Sequence, residues 1–231
     1  MKLLNDKNLM KHYIDKFQLD TIFDKDMSPY MKLFLCEKGE MICKIDDELE
    51  WIYFLVKGKL KVFNLLLNGK STLLRFSTPL SIVGDLELFK KYKVKNNVEA
   101  LNEAIIIGIN VEDVKKYASE DSLFLRFVIE NLSHKLYTFS NLSALNQAYP
   151  FINRFASYLI AITSDENNNR LIDEIKTNNL TELANFFGVS YRHLNRVIKD
   201  LCDSGIIKKN NKEIVILDYE RLKDMSGGHY E

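Results

Sequence analysis

The sequence predicts an α+β protein in three successive parts: an all-β domain of sandwich or barrel type, one long dimerisation helix, and a C-terminal winged helix-turn-helix. Three observations carry this. Short apolar runs broken by turn residues fill positions 31–109; a stretch without glycine or proline, 121–148, repeats apolar residues at spacings of 4, 3, 4 and 3; and two short helical patterns meet at Gly188 ahead of a basic, hairpin-like end. The boundaries fall at 1–112 for the β-domain with its N-terminal helices, 113–149 for the long helix, and 150–231 for the winged domain.

Composition narrows the function classes. The 32 lysines and arginines balance 32 acidic residues in 231, so any nucleic-acid surface must be local. A 46% hydrophobic content with only 9 glycines and 3 prolines describes a packed, globular chain. No apolar stretch reaches the roughly 18 residues of a membrane span and no signal-peptide core is present, so the expectation is a cytoplasmic protein without membrane contact. Three cysteines, Cys36, Cys43 and Cys202, form neither a C-x-x-C pair nor a Cys/His quartet, which argues against structural zinc.

Along the chain, Leu9, Tyr13, Phe17, Leu19, Ile22 and Phe23 have helical spacing and place one or two short helices in residues 1–25. Strands are expected at 31–36, 41–45, 51–56, 59–63, 71–76, 98–100 and 104–109. Turns are expected at 37–40, Asp46-Asp47, Lys57-Gly58, Asn68-Gly69 and Thr78-Pro79. In the long helix, Leu125, Ile129, Leu132, Leu136 and Phe139 form a coiled-coil-like seam, with Val128, Leu142 and Leu145 as a second row. The helix ends at Tyr149-Pro150. The seam either packs on the chain's own β-domain or pairs with a sister helix. Its narrowness and length favour a parallel homodimer. A further amphipathic helix spans 151–162, and a polar, exposed loop follows at 165–169.

In the last part, Thr181 is expected to cap a short helix that buries Leu183, Ala184 and Phe187, and Gly188 ends it. Ser190 then caps a second helix whose buried stripe is Leu194, Val197, Ile198 and Leu201. Its opposite face carries Tyr191, Arg192, His193, Asn195, Arg196 and Lys199. Residues 205–217 read as a two-stranded wing, joined at Asn210-Asn211, that adds Lys208, Lys209 and Lys212. Between 188 and 212 the formal excess is four positive charges. Arg192 and Arg196, one helical turn apart, can each fork onto guanine O6 and N7, while Tyr191 and His193 suit phosphate or thymine-methyl contacts. The DNA-contact set is therefore Thr181, Ser190, Tyr191, Arg192, His193, Asn195, Arg196, Lys199, Lys209 and Lys212, and the partner is double-stranded DNA.

On these residues the chain resembles the Crp/Fnr superfamily of bacterial transcription regulators over nearly its full length. Lys38, Gly39 and Glu40, then 52–58 with Lys61 and Val62, look like that family's β-roll, a cyclic-nucleotide-binding-like jelly roll. Gly84, Asp85, Leu86, Glu87, Leu88 and Phe89 look like the core of its phosphate-binding cassette. The resemblance implies a homodimer on a near-palindromic operator, a β-roll that receives a signal, and RNA polymerase as a further candidate partner. It makes Gly84, Asp85, Leu86 and Lys95 the candidate effector pocket. The family's cyclic AMP binders hold the phosphate with an Arg-Ser or Arg-Thr pair; the matching stretch here, 93–97, has no arginine, and Asp85 is shorter than the glutamate expected at the ribose. Three cysteines are also too few for the four-thiolate iron-sulphur branch. The sequence thus argues against both cofactors and leaves the effector unidentified. Arg196 matches the family's motif arginine, whereas Tyr191 and Arg192 depart from it, which implies a different half-site.

The alternative is a ligand-binding or redox-sensing protein whose C-terminal domain makes protein contacts, with Cys36 and Cys43 around the 37–40 turn as a redox pair or as plain core residues. His12, His134 and His229 are scattered and are assigned no role, with a haem ligand among them left open. An enzyme fits worst, because nucleophile elbow, P-loop, zinc motif and dinucleotide-binding turn are all missing.

Overall fold

The computed structural model describes residues 1–65, 71–90, 92–163, 174–176, 180–210 and 213–227. They fall into two units, Met1–Val62 with Ser77–Tyr137, and Phe63–Phe76 with Thr138–Glu231.

The β-sandwich is built from β1 (Lys2–Leu4), β2 (Met31–Cys36), β3 (Met41–Cys43), β4 (Trp51–Lys57), β5 (Leu60–Leu65), β6 (Ser71–Ser77), β7 (Ile82–Val83), β8 (Asn97–Ala100) and β9 (Ala104–Asn110). One sheet has the order β1-β2-β9-β4-β7 and the other β3-β8-β5-β6. Helices α1 (Lys7–Phe17), α2 (Asp85–Leu88), α3 (Val111–Tyr117) and α4 (Ser122–Ala148) interleave with them. In β2 the period-two rule holds: Met31 and Leu33 are buried and Lys32 between them is exposed. Met31, Leu33, Ile52, Phe54, Val56, Ile105, Ile107 and Ile109 form one face of the first sheet, and Tyr13 and Ile14 of α1, Val114 of α3, and Phe124 and Val128 of α4 cover it. On the opposite face, Phe34 meets Trp51 and Tyr53 edge-on. These rings cross at Gly108, where a Cβ would come within 2.9 Å of Phe34 Cε2. Because both faces of β4 and β9 are covered, their sequences read as unbroken apolar runs. Together they supply much of the burial that stabilises this unit, at about 1.5–3 kcal/mol per large side chain.

The second unit contains α5 (Phe151–Thr163), β10 (Glu174–Lys176), α6 (Leu180–Phe186), α7 (Tyr191–Asp203), β11 (Ile207–Asn210), β12 (Glu213–Ile216) and α8 (Tyr219–Ser226). β12 pairs antiparallel with both β10 and β11. Its core joins Phe155 and Leu159 of α5 to Leu194, Ile214 and Leu222, each 0% exposed, with Phe63 and Leu73 packed at its edge.

Several expectations need correction. The short helices expected within residues 1–25 are present, at Lys7–Phe17 and Leu19–Ile22, and residues 2–4 add a strand before them, where Leu3 pairs with Phe34 at the sheet edge. Helix α3 separates β9 from the long helix, and Asn110 caps it by accepting from Glu112 N–H at 2.9 Å. Strands β7 and β10 are additions to the expected set; at two and three residues they are too short for a periodic signal. The border between the two units runs inside α4, after Tyr137. The turn at Asn68-Gly69 and the polar loop at 165–169 lie outside the described residues.

Asp121 caps α4 from just before its first residue, its Oδ1 accepting from the N–H groups of Leu123 and Phe124 at 2.9 and 3.2 Å. Phe124, Val128 and Lys135, spaced by 4 and 7, are buried; the seam residues Ile129, Leu136 and Phe139 are 61%, 69% and 54% exposed. Leu125 and Leu132 are half-buried, and the side chains of Leu142 and Leu145 lie outside the description. In the first unit α4 therefore docks by the row Phe124, Val128 and Lys135 and leaves Ile129 and Leu136 of the seam uncovered. Among the described residues no helix is long and apolar enough to cross a membrane.

Candidate nucleic-acid interface

The turn between α6 and α7 depends on one backbone conformation. Gly188 has φ +67°, its N–H donates to Asn185 O at 3.0 Å, and Val189 N–H donates to Ala184 O at 3.0 Å. A residue with a Cβ would pay about 1–2 kcal/mol for that left-handed backbone. Ala184, 1% exposed, lets the two helices approach closely. Ser190 caps α7 as the sequence predicts, its Oγ accepting from His193 N–H at 3.1 Å. Leu194, Val197, Ile198 and Leu201 are all buried, so the polar side of α7 can only face outward.

Arg192, Arg196 and Lys199 are exposed, and Tyr191 is 51% exposed. With Asn195 they follow helical spacing and form one polar stripe that carries three cations. His193 is half-buried, its ring edge-on to Phe151 at 5.2 Å between centroids, so it also packs the domain. Asn195 uses both ends of its amide internally: Nδ2 donates to Tyr191 O at 3.1 Å, and Oδ1 accepts from Lys209 Nζ at 3.3 Å. Lys209 on β11 is thus brought to the stripe, a link that residue types at a separation of 14 could not reveal. Thr181 lies inside α6 rather than before it, and the residues that would cap that helix lie outside the description. Lys212 and Asn211 are likewise outside it.

At the cassette, Gly84 has φ +98°, and a Cβ there would sit 2.9 Å from Leu49 Cδ1. Asp85, 3% exposed, accepts from Lys135 Nζ at 2.7 Å on Oδ1 and 2.6 Å on Oδ2, while the same ammonium donates to Ile82 O at 2.8 Å. Leu86 is 42% exposed, in contrast to that buried pair. Lys95 N–H donates to Glu87 Oε1 at 3.0 Å, and its ammonium lies 5.6 Å from the Tyr92 ring centre. What occupies Asp85 is a lysine of the long helix. The sandwich does hold a cleft of about 440 Å³, lined by Cys43, Lys44, Asp47, Glu48, Glu50, Trp51 and Tyr53 among others. Three carboxylates against one lysine make it a poor seat for a phosphate.

Burial pushes the Cys36 thiol up to about 11, and burial with the neighbouring Glu87 and Asp47 carboxylates pushes Cys43 up to about 12. Burial likewise raises Tyr53. Raised thiols favour the protonated fold. Their contribution is complete below the ordinary value of 9.0 and is lost as pH rises through 11 and 12. At pH 8 the thiolate fraction of Cys36 is on the order of a thousandth, so alkylation at both sites is expected to be slow in the native protein and fast in urea. Mass-spectrometric labelling checks this; rapid native labelling at pH 8 would contradict it. Among the described residues no cluster of His, Cys, Asp and Glu could hold a metal ion.

Comparison with known proteins places these features. Residues 34–121 match the cyclic nucleotide-binding domain family, and residues 153–225 match the Crp-like helix-turn-helix domain family. Regulatory protein YeiL of Escherichia coli O157:H7 is 27% identical over 206 residues, covering 88% of this chain and 90% of that protein. Transcriptional activator protein Anr of Pseudomonas protegens is 22% identical over 202 residues, 84% of this chain and 80% of its own. Among solved structures, a CRP-family transcriptional regulator from Thermus thermophilus superposes with a TM-score of 0.66 at 21% identity, covering 86% of this chain and 98% of its own.

Proposed function

We propose, for a chain that belongs to the Crp/Fnr superfamily of transcription regulators and carries its Crp-like DNA-binding domain, that two copies bind a near-palindromic operator with one α7 in each half-site. The observation that carries this reading is the capped α7 with its apolar stripe buried and Arg192, Arg196 and Lys199 exposed. Each arginine offers a donor pair that guanine accepts in the major groove. Tyr191, Lys209 and the helix start at Ser190 supply phosphate contacts, with Thr181 and His193 at the margin. Regulators of this family are not enzymes, and the chain acts where chromosomal DNA lies, in the cytoplasm, with RNA polymerase as a further partner.

The homodimer is supported by the outer seam. Ile129, Leu136 and Phe139 present large apolar side chains to water along one helix face, which a sister helix would cover. Leu136→Glu is expected to weaken self-association roughly 100-fold, a change of about 2.7 kcal/mol, while leaving the secondary structure intact. Sedimentation equilibrium at micromolar concentration checks this, and a wild-type chain that stays monomeric would overturn the dimer.

The signal enters the β-sandwich unit. The Asp85 carboxylate is already neutralised by Lys135, which weighs against a cyclic nucleotide held at that residue. The effector is therefore unassigned chemistry in that unit.

A further inference from the structure

Asn195 stands in the middle of the cationic stripe, with Arg192 three residues before it and Lys199 four after it. An asparagine so placed would ordinarily be a reader of adenine, since its amide can accept from N6 and donate to N7 at once. That bidentate contact needs Oδ1 and Nδ2 to point out together. Here Nδ2 is turned back along the helix to Tyr191 O at 3.1 Å, and Oδ1 accepts from Lys209 Nζ at 3.3 Å. Backbone-directed bonding of this kind lays the amide against its own helix.

Lys209 shows the other half of the arrangement. In β11 the burial alternates, with Ile207 buried, Lys208 exposed, Lys209 half-buried and Asn210 exposed. Lys209 thus shares the inward side of the strand with Ile207, and its stem runs toward α7 instead of into water. An ammonium held on that side needs an acceptor, and Asn195 provides it. An ammonium has three N–H donors, so further donors remain for a phosphate oxygen.

We infer that Asn195 is a positioning residue, not a base reader: it seats the wing's Lys209 ammonium beside Arg192 and Arg196. The recognition surface is then assembled from two elements and is dominated by cationic donors, a composition suited to guanine edges and phosphate oxygens. This rests on α7 lying in the groove as proposed above, and it assigns the wing strand a share of affinity that does not depend on base sequence.

The test uses the full chain, an operator selected from random DNA with the wild-type protein, and the variants Asn195→Ala, Lys209→Met and their combination. Each single change is expected to weaken operator binding roughly tenfold and to lower the salt slope by about one phosphate contact. Preference at every half-site base should stay as in the wild type, and the double variant should be no weaker than either single one. Lys209→Arg keeps the charge and a donor and should keep the slope. A change of preferred base in Asn195→Ala, additive losses in the double variant, or an unchanged slope in Lys209→Met would each overturn the assignment. Should the wild type select no DNA, it is the groove reading itself that fails, and this appears before any variant is compared.

Discussion

Replacing Arg192 and Arg196 together with alanine is expected to erase sequence preference while the protein still folds. Each guanidinium contributes roughly 1–3 kcal/mol of discrimination if it forks onto a guanine, so the pair accounts for about 2–6 kcal/mol per half-site. Both side chains are exposed, and alanine is the strongest helix former, so neither the Ser190 cap nor the buried stripe of α7 is disturbed. The four-residue spacing lets the two arginines share neighbouring base pairs, and their losses can couple. Competition binding between the selected operator and random duplex reads the effect directly. Preference retained by the double variant would mean that some other face meets the DNA.

A second large effect is expected at the other end of the chain. Lys135→Met leaves the Asp85 carboxylate, 3% exposed, without the ammonium that both its oxygens accept from. Removing one partner of a buried ion pair costs about 3–5 kcal/mol, whereas replacing both with apolar groups is often neutral. Lys135→Met with Asp85→Leu should therefore recover most of the loss, measured by urea unfolding of the first unit. A single variant that loses less than about 1 kcal/mol, well short of the cost of a broken buried pair, would contradict this. The pair also has a geometric role. Lys135 belongs to the buried row of α4, and Leu136, the next residue, belongs to the seam about 100° around the helix. Fixing Lys135 at the cassette fixes the rotation of the helix and hence which side chains face a partner.

Most of the strand positions, the Gly188 turn and the Ser190-capped helix are legible in the sequence, and the reasons are physical. The strand at Met31–Cys36 and the capped helix at Tyr191–Asp203 each combine a clear period with flanking turn residues, and both appear where expected. What the sequence does not supply is contact at long range. Lys135 sits in the same helical row as Phe124 and Val128, and a lone lysine in a row otherwise destined for burial is the available signal that it meets a carboxylate. The stronger periodicity of the neighbouring seam masks it. The role of Asn195 is hidden differently. Its type suggests base reading, and only the arrival of Lys209 from a strand 14 residues away shows that the amide is engaged. The short strands Lys2–Leu4 and Glu174–Lys176 exist because a partner edge is present, not because their own residues alternate.

The most direct measurement is equilibrium binding of the wild-type chain to DNA selected from a random pool, repeated over a range of salt. An inverted repeat should emerge, bound at least about a thousandfold more tightly than random duplex, with affinity falling steeply as salt rises because several phosphates are neutralised at once. A protein that selects no common sequence, and retards no duplex even at low salt, would contradict the assignment of α7 as the reading helix.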